Sequence, residues 1–228
     1  MKKIYLHPLP IRIWHWINAA GFILLILTGI QIRYSNIINL FSFETAVDIH
    51  SWTGFILLAN YFIWLVYYLV TLNIKIYIPP LHHPVEFGKK ALRQAKFYGY
   101  GILVGDENPH HSTPEHKFNP MQQVSYLMIM GLLIPVQIIT GLFLWDPKLF
   151  APVVNFIGGI QIVSLIHVGL WIFFSAFIIV HFYLATLGHT TMAHIIAMFT
   201  GYEEEHEEHG EPHGEGGHGE GEQQAHSH

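Results

Sequence analysis

Residues 160–187 read IQIVSLIHVGLWIFFSAFIIVHFYLATL and contain no Asp, Glu, Lys or Arg. A helix needs about 20 mostly apolar residues to cross the hydrocarbon core of a bilayer. Three other stretches meet the same criterion, at residues 13–32, 49–72 and 121–145. Trp and Tyr lie near the ends of these stretches, where a membrane interface favours them. The sequence therefore predicts an all-α integral membrane protein, a bundle of four spanning helices.

The composition agrees with a membrane class and excludes several kinds of site. Hydrophobic residues make up 51% of the 228 residues, and charged residues only 12%. There is no Cys, which excludes disulfides, a thiolate nucleophile, Cys-ligated zinc or iron–sulfur clusters and covalent c-type haem within these residues. No basic and aromatic platform for bases is present, so we expect no nucleic-acid partner.

The basic residues are divided unevenly between the two sides that four spans define. Two of them, Arg33 and Lys148, fall on one side. Nine fall on the other: Lys2, Lys3, Arg12, Lys75, Lys89, Lys90, Arg93, Lys96 and Lys117. Because cytoplasmic loops carry an excess of Lys and Arg, we predict a multi-pass protein of the inner (cytoplasmic) membrane. Its N- and C-termini and the long loop at residues 73–120 would be cytoplasmic.

Two segments outside the spans have a distinctive charge. Residues 85–98 place four bases at helical spacing, which indicates either an interfacial helix on anionic membrane lipid or a solvated basic loop. After residue 201 the chain becomes rich in Gly, His and Glu and holds nine of the sixteen acidic residues. We therefore expect a four-span domain at residues 1–201 and a disordered tail at 202–228, which is either a metal-binding segment or a solvated acidic one.

Four His lie inside or at the margins of the apolar spans: His15, His50, His167 and His181. An ionisable residue inside a membrane is costly without a partner, so each is a functional candidate; the alternative for any one of them is a bond to a neighbouring carbonyl. His167 and His181 are fourteen residues apart, which puts them on one helix face and about 21 Å apart along the axis. Alternating span directions then place His50 level with His167, here called the outer pair, and His15 level with His181, the inner pair.

Two imidazole pairs at two depths in a four-helix bundle match the ligands of two bis-His haems. Low-spin haem iron takes two axial ligands from opposite sides, and facing helices of a bundle supply them. Without Cys the haem would be of the b type. Spans one and three carry a faint internal repeat, LTGI at 27–30 and ITGL at 139–142, from which we predict only a close approach of helices.

The residues around these His resemble a known family. PIRIWHW at 10–16 and IHSWTG at 49–54 are similar to the first two spans of the di-haem cytochrome b subunits of membrane-bound nickel–iron hydrogenases. The last span, with His167 and His181, is similar too. FNPMQQ at 118–123 resembles the start of the third span in the gamma subunits of formate dehydrogenase and thiosulfate reductase. The likeness covers about residues 5–202; it departs from the hydrogenase group in having Phe rather than His before Asn-Pro, and neither group has this acidic His-rich tail.

The resemblance implies a membrane-anchoring electron-transfer subunit with no catalysis of its own apart from quinone reduction or oxidation. An extracytoplasmic iron–sulfur or cytochrome subunit, joined to a catalytic subunit of the hydrogenase or formate dehydrogenase kind, would exchange electrons with a haem on the outer pair. Menaquinone or another quinone would bind near a haem on the inner pair, close to Asn119 and Gln122. Asn119 before Pro120 also fits a helix N-cap, and Arg12 is either a haem-propionate partner or a positive-inside anchor.

Two other functions compete with this interpretation. A His-rich divalent-metal transporter would need acidic or His residues that converge on a midplane site, whereas the spans hold no Asp or Glu and their His separate into two levels. A di-iron membrane oxygenase would need His-x-x-His-His clusters, which are absent. The His that it would have to use are His82, His83, His110, His111, His116, His189 and His194.

Overall fold

The computed structural model describes residues 2–79, 83–110, 118–186 and 192–205. Over these residues the main helices are α1 (Leu9–Arg33), α2 (Phe43–Val70), α3 (Pro84–Lys96), α4 (Pro120–Trp145), α5 (Ala151–Ile157), α6 (Ile160–Ala185) and α7 (Ala193–Thr200). Two short strands, β1 (Lys2–Tyr5) and β2 (Tyr202–Glu205), flank them. Helices α1, α2, α4 and α6 are long and apolar enough to cross a membrane. The predicted all-α, four-span membrane class is confirmed; which side of the membrane holds the termini stays a prediction.

Two of the spanning helices, α2 and α4, begin after residues whose side chains cap them. Helix α2 starts six residues before the apolar stretch predicted at 49–72, because Ser42 accepts a hydrogen bond of 3.1 Å from the Thr45 N–H. Glu44 in the first turn adds a charge that suits the positive end of the helix dipole. Helix α4 starts after Asn119, which caps it in the same way.

Two helix hairpins form the bundle, because α1 packs along α2 and α4 packs along α6. The main buried cluster lies where α2 ends and α4 begins; it contains Trp64, Tyr68, Tyr77, Ile129, Met130 and Phe174. Tyr77 belongs to a single 3₁₀ turn, Asn73–Tyr77, that follows α2. The last turns of α2, the first turns of α4 and the start of the connecting loop are thus held together at one end of the bundle.

Helix α4 is interrupted by a π-helical turn, Ile129–Leu133. The N–H of Ile134 donates to the first carbonyl of that turn, five residues back. In this register the next carbonyl, of Met130, would need the N–H of Pro135, and proline has none. The hydroxyl of Tyr61 on α2 donates to that carbonyl at 3.0 Å. A backbone acceptor freed by proline is therefore satisfied from the neighbouring helix, as a bilayer interior demands.

We expect Tyr61→Phe to lower the free energy of unfolding by about 1 kcal/mol, the usual scale of a hydrogen bond between helices in a membrane. Denaturation of the detergent-solubilised chain by increasing the mole fraction of dodecyl sulfate measures this change. Tyr183→Phe is the control, because Tyr183 also lies on a spanning helix but is 55% exposed. Equal stability of the two variants would contradict this account of the Met130 carbonyl.

The loop between the second and third spans contains helix α3, so the helix predicted over residues 85–98 is present. Lys90 and Glu86 form an exposed ion pair of 2.8 Å one turn apart, and the hydrogen bond from Lys90 lowers the pKa of the Glu86 carboxyl. Buried Gln94 faces inward and donates to the Asn108 side chain at 3.1 Å. The helix is thereby attached to the loop that follows it, and its contact with lipid stays a prediction.

The two ends of the described chain pair with each other. Strands β1 and β2 are antiparallel, with Tyr5 opposite Tyr202 and their rings 5.1 Å apart. Gly201 turns the chain from α7 into β2 with a φ of 90°, a backbone conformation that favours glycine. The sequence analysis places the start of the disordered tail at residue 202; residues 202–205 pair with β1 as strand β2, and the boundary between domain and tail stays a prediction. Residues 206–228, with the tail His206, His209, His213, His218, His226 and His228, lie outside the described residues.

Candidate functional site

The structure brings the four intramembrane His together as two separate pairs. In the outer pair, His50 on α2 and His167 on α6 have ring centroids 6.4 Å apart. In the inner pair, His15 on α1 and His181 on α6 have centroids 6.2 Å apart. Three of these rings are partly buried, and His181 is exposed at the margin of the bundle. These are the partners expected from the alternating directions of the spans.

Both ring separations suit a metal ion bound between two imidazoles. With a metal–nitrogen bond of about 2 Å on each side, two ring centroids lie roughly 6 Å apart. The members of each pair come from different helices, as two axial ligands on opposite faces of a haem must. The donor chemistry and spacing therefore fit a haem at each level, while the role of the four His as iron ligands stays a prediction.

In the outer pair, the ring of His50 is held by helix α1. The Oγ1 of buried Thr28 lies 2.9 Å from Nδ1 of His50. The same hydroxyl is 2.8 Å from the Leu24 carbonyl and 3.3 Å from the Leu25 carbonyl, so its hydrogen has backbone acceptors within α1. Gly29 follows, and a Cβ there would meet the His50 ring at 3.5 Å. Thr28 orients this ring, and Gly29 lets α1 pass beside it.

The ring of His167 is held in the same way by helix α4. The Oγ1 of Thr140 lies 3.0 Å from Nδ1 of His167 and 2.8 Å from the Val136 carbonyl. Gly141 follows, and a Cβ there would be only 3.2 Å from Cε1 of the ring. Nε2 of the same ring has a long contact of 3.3 Å with the Gln137 amide. Gln137 would have to turn aside for that nitrogen to bind iron, and loss of so long a contact costs little.

The sequence analysis missed the role of both threonines, although it found their signal. The repeat of Thr-Gly at 28–29 and 140–141 was interpreted as close helix approach alone. In the structure each copy provides a hydroxyl to one imidazole and space for the same ring. Metal-bound His generally donates its second ring N–H to such a partner. The sequence signal that could have identified the two threonines is the Thr-Gly pair itself, which occurs in the span before His50 and again in the span before His167.

The surroundings of the inner pair differ. Nδ1 of His15 is buried without a hydrogen-bond partner among the described residues. The ring of His181 instead stacks on Phe177, with centroids 5.6 Å apart and planes at 23°. In the same part of the structure, the indole N–H of Trp14 is buried and, within the described ranges, unpartnered. Because buried donors are normally satisfied, these groups suit a ligand that offers oxygen acceptors, such as a haem carboxylate.

Arg12 lies one turn before the inner pair and ties α1 to α7. Its guanidinium donates to the carbonyl of Phe199, and the Trp16 indole donates to the Met198 carbonyl at 3.1 Å. The ring of Trp16 stacks on that of Phe199, with centroids 4.2 Å apart. The Arg12 Nε is buried and has no partner among the residues described. Arg12 therefore satisfies a backbone carbonyl in the last turn of α7. Its contact with a haem propionate stays a prediction.

Asn119 and Gln122, the predicted quinone contacts, form a capping box at the start of α4. The Asn119 side chain accepts from the Gln122 N–H at 2.9 Å, and the Gln122 side chain accepts from the Asn119 N–H at 3.1 Å. The Asn119 amide also donates to the Tyr98 hydroxyl at 3.0 Å, and Asn119 is only 2% exposed. The alternative prediction of an N-cap is confirmed. Contact of these two residues with quinone stays a prediction.

The part of the chain that the structure describes gives little support to a metal-transport site or a di-iron site. No group of three or more His, Asp or Glu that could hold a metal occurs among those residues. His82, His111, His116 and His189 lie outside the described ranges. A midplane transport site or a di-iron cluster would therefore have to involve residues beyond those ranges.

Four spanning helices with His pairs at two depths are the arrangement expected of a multi-pass membrane cytochrome of the b type. The chain belongs to the prokaryotic cytochrome b561 family, whose model matches residues 6–201. It is 33% identical to the "Putative cytochrome YdhU" of Escherichia coli (strain K12) over 204 residues, 88% of this chain and 75% of that protein. It is 27% identical to the "Probable Ni/Fe-hydrogenase B-type cytochrome subunit" of Rhizobium leguminosarum bv. viciae over 203 residues, 81% of each chain. The protein is thus a membrane electron-transfer cytochrome that binds haem b.

Proposed function

We propose that this chain is the membrane-anchoring di-haem subunit of a quinone-linked redox complex. One haem b would be held by the outer pair and a second by the inner pair. The observation that carries the proposal is the presence of two imidazole pairs, with centroids 6.4 Å and 6.2 Å apart, on separate helices. Along α6 the two levels are about 21 Å apart, so together they extend across most of the hydrocarbon core.

When bound, haem b supplies a one-electron carrier at each level. The chain's own part is ligation and placement. His50 and His167 present imidazoles whose Nδ1 atoms are occupied by threonine hydroxyls, which leaves Nε2 for iron. The apolar helices around them exclude water, and burial together with hydrogen bonding of the ligands sets the potentials.

The partner that we propose is an extracytoplasmic electron-transfer subunit with its catalytic subunit, of the hydrogenase or formate dehydrogenase kind. The name of the Rhizobium relative refers to a Ni/Fe-hydrogenase, and the resemblance of residues 118–123 extends the class to formate dehydrogenase. The excess of nine bases over two supports an inner-membrane orientation with the inner pair and both termini on the cytoplasmic side. The partner would then meet the face nearest the outer pair.

We propose that menaquinone or another quinone exchanges electrons near the inner pair. A continuous series of aromatic rings leads from the cap of α4 toward that level: Phe118 to Tyr77 at 5.4 Å, Tyr77 to Trp64 at 5.6 Å and Trp64 to Trp14 at 6.0 Å. Quinone rings pack well against such surfaces, and the unpartnered indole N–H of Trp14 can donate to a quinone carbonyl. Asn119 and Gln122 would contribute only by giving up part of their capping box.

The experiment that tests the proposed function is a haem count on the full chain purified in detergent. The pyridine haemochrome assay should give two haem b per chain, with no covalently bound haem. One haem per chain would contradict the di-haem proposal. A colourless protein that binds divalent cations would favour the metal transporter instead.

A second test uses the two glycines beside the outer pair. We expect Gly141→Ala to displace the His167 ring by a few tenths of an ångström, because its Cβ would lie 3.2 Å from Cε1, and to weaken haem binding at the outer pair roughly tenfold. Gly29→Ala is the matched control, since its Cβ would meet the His50 ring at an ordinary 3.5 Å. Haem content and the low-spin electron paramagnetic resonance signals measure the effect. Indistinguishable variants would argue against this position for the outer haem.

A further inference from the structure

We propose that Thr28 and Thr140 are positioning residues that lock both outer imidazoles with hydrogen on Nδ1. In doing so they lower the reduction potential at the outer pair relative to the inner pair. This inference rests on the proposed di-haem function. It concerns four hydrogen-bonded side chains, two threonines and two histidines, that lie at one depth of the bundle and come one from each spanning helix.

The first step is the direction of the hydrogen bonds. A hydroxyl has one hydrogen and two lone pairs. The Thr28 hydroxyl has the Leu24 carbonyl at 2.8 Å and the Leu25 carbonyl at 3.3 Å as acceptors, and a carbonyl can only accept. The Thr28 oxygen then accepts from His50, whose Nδ1 must carry the hydrogen. Nε2 is left with the lone pair that a metal needs.

The same geometry occurs in the other hairpin. The Thr140 hydroxyl has the Val136 carbonyl at 2.8 Å and the Gln137 carbonyl at 3.1 Å, and it lies 3.0 Å from Nδ1 of His167. Thr28 and Thr140 are 2% and 5% exposed, so water does not compete for these bonds. Both outer ligands thus have one tautomer and one ring orientation, each set by the helix that precedes it in its own hairpin.

The second step is the effect on potential. A hydrogen bond from Nδ1 to an acceptor raises the basicity of the ligating nitrogen. A more basic ligand stabilises the more highly charged ferric state, and this lowers the reduction potential. In the inner pair, Nδ1 of His15 has no such acceptor among the described residues. The reduction potential at the outer pair is therefore the lower of the two, and this favours electron transfer from the outer pair to the inner pair.

The test is a spectroelectrochemical titration of Thr28→Val, Thr140→Val and the double variant in the detergent-solubilised full chain. Valine keeps the shape of threonine and removes the hydroxyl. We expect the double variant to shift the ferric–ferrous equilibrium at the outer pair about tenfold toward the ferrous state. This raises the outer reduction potential by about 59 mV for one electron and leaves the inner potential unchanged. Thr28→Ser with Thr140→Ser should restore the original value.

Thr71→Val is the matched control, because the Thr71 hydroxyl bonds back to the Tyr67 carbonyl at 2.7 Å in the same helical manner but lies outside both pairs. Equal shifts at both haems, or no shift with two haems present, would overturn the inference. A wild-type chain with fewer than two haems would instead overturn the proposed function. If the valine variants lose the outer haem, the serine variants and the low-spin signal of each single variant decide: retention with Ser and loss with Val supports the role of the hydroxyl.

Discussion

Replacing His181 with Ala should leave one haem b per chain instead of two, and His15→Ala should remove the same haem. Both side chains belong to the inner pair, whose ring centroids are 6.2 Å apart. Either substitution leaves one imidazole where the inner pair would offer two, so the site would hold haem weakly. The pyridine haemochrome assay and the loss of one set of low-spin resonance signals measure this result. Quinone reduction by the complex should be abolished with it.

Double variants test which two His belong to the same haem site, in addition to whether haem is lost. His15→Ala combined with His181→Ala should still hold the outer haem, whereas His15→Ala combined with His50→Ala should hold none. His83→Ala is the control and should keep both haems, because His83 is exposed and outside the spans. A chain that retains two haems without His181, or a double inner-pair variant that loses both, would show that the pairing is wrong.

The second large effect concerns the passage of electrons. We expect His167→Ala to reduce electron flow from an external donor to quinone to the background rate, because the chain then has no carrier at the outer level. The inner haem should still be reduced by added quinol, since the inner pair is intact. Stopped-flow absorbance of proteoliposomes compares the two routes, with a membrane-impermeant dye as external donor and a short-chain quinol as the internal one.

His50→Ala should reproduce both results, because His50 and His167 hold the same site from opposite helices. Thr71→Val serves again as the control with both routes intact. If the external donor still reduces quinone at the original rate without the outer haem, the proposed route is wrong. If quinol no longer reduces the remaining haem, quinone does not exchange electrons at the inner pair.

The pairing of the histidines could be predicted because it depends on few quantities. The rise of a helix, the thickness of a bilayer and the alternation of four spans place His50 level with His167 and His15 level with His181. The start of α2 at Phe43 was harder to predict from the sequence. It depends on a cap at Ser42 in a polar segment, whereas the prediction followed the apolar run. In the same way, β2 forms only because β1 pairs with it.

Contacts between helices required the tertiary structure, because they depend on rotation about each helix axis. The hydrogen bonds between Thr28 and His50 and between Thr140 and His167 join residues 22 and 27 positions apart. The Tyr61 hydroxyl reaches a carbonyl 69 positions away, one that becomes available only through the π turn before Pro135. Spacing within a span does not specify which side chain of a neighbouring helix a residue will meet.

The amino-acid sequence by itself determined the membrane class, the number of spans and the depth of each intramembrane histidine, because hydrocarbon tolerates only helices of sufficient length and makes every polar exception conspicuous. Only the tertiary structure decided which hydroxyls orient the outer imidazoles and that Nδ1 of His15 has no such partner among the described residues. It also decided that the Asn119 side chain caps helix α4. Depth follows from position along one helix, whereas hydrogen bonding between helices follows from how they pack.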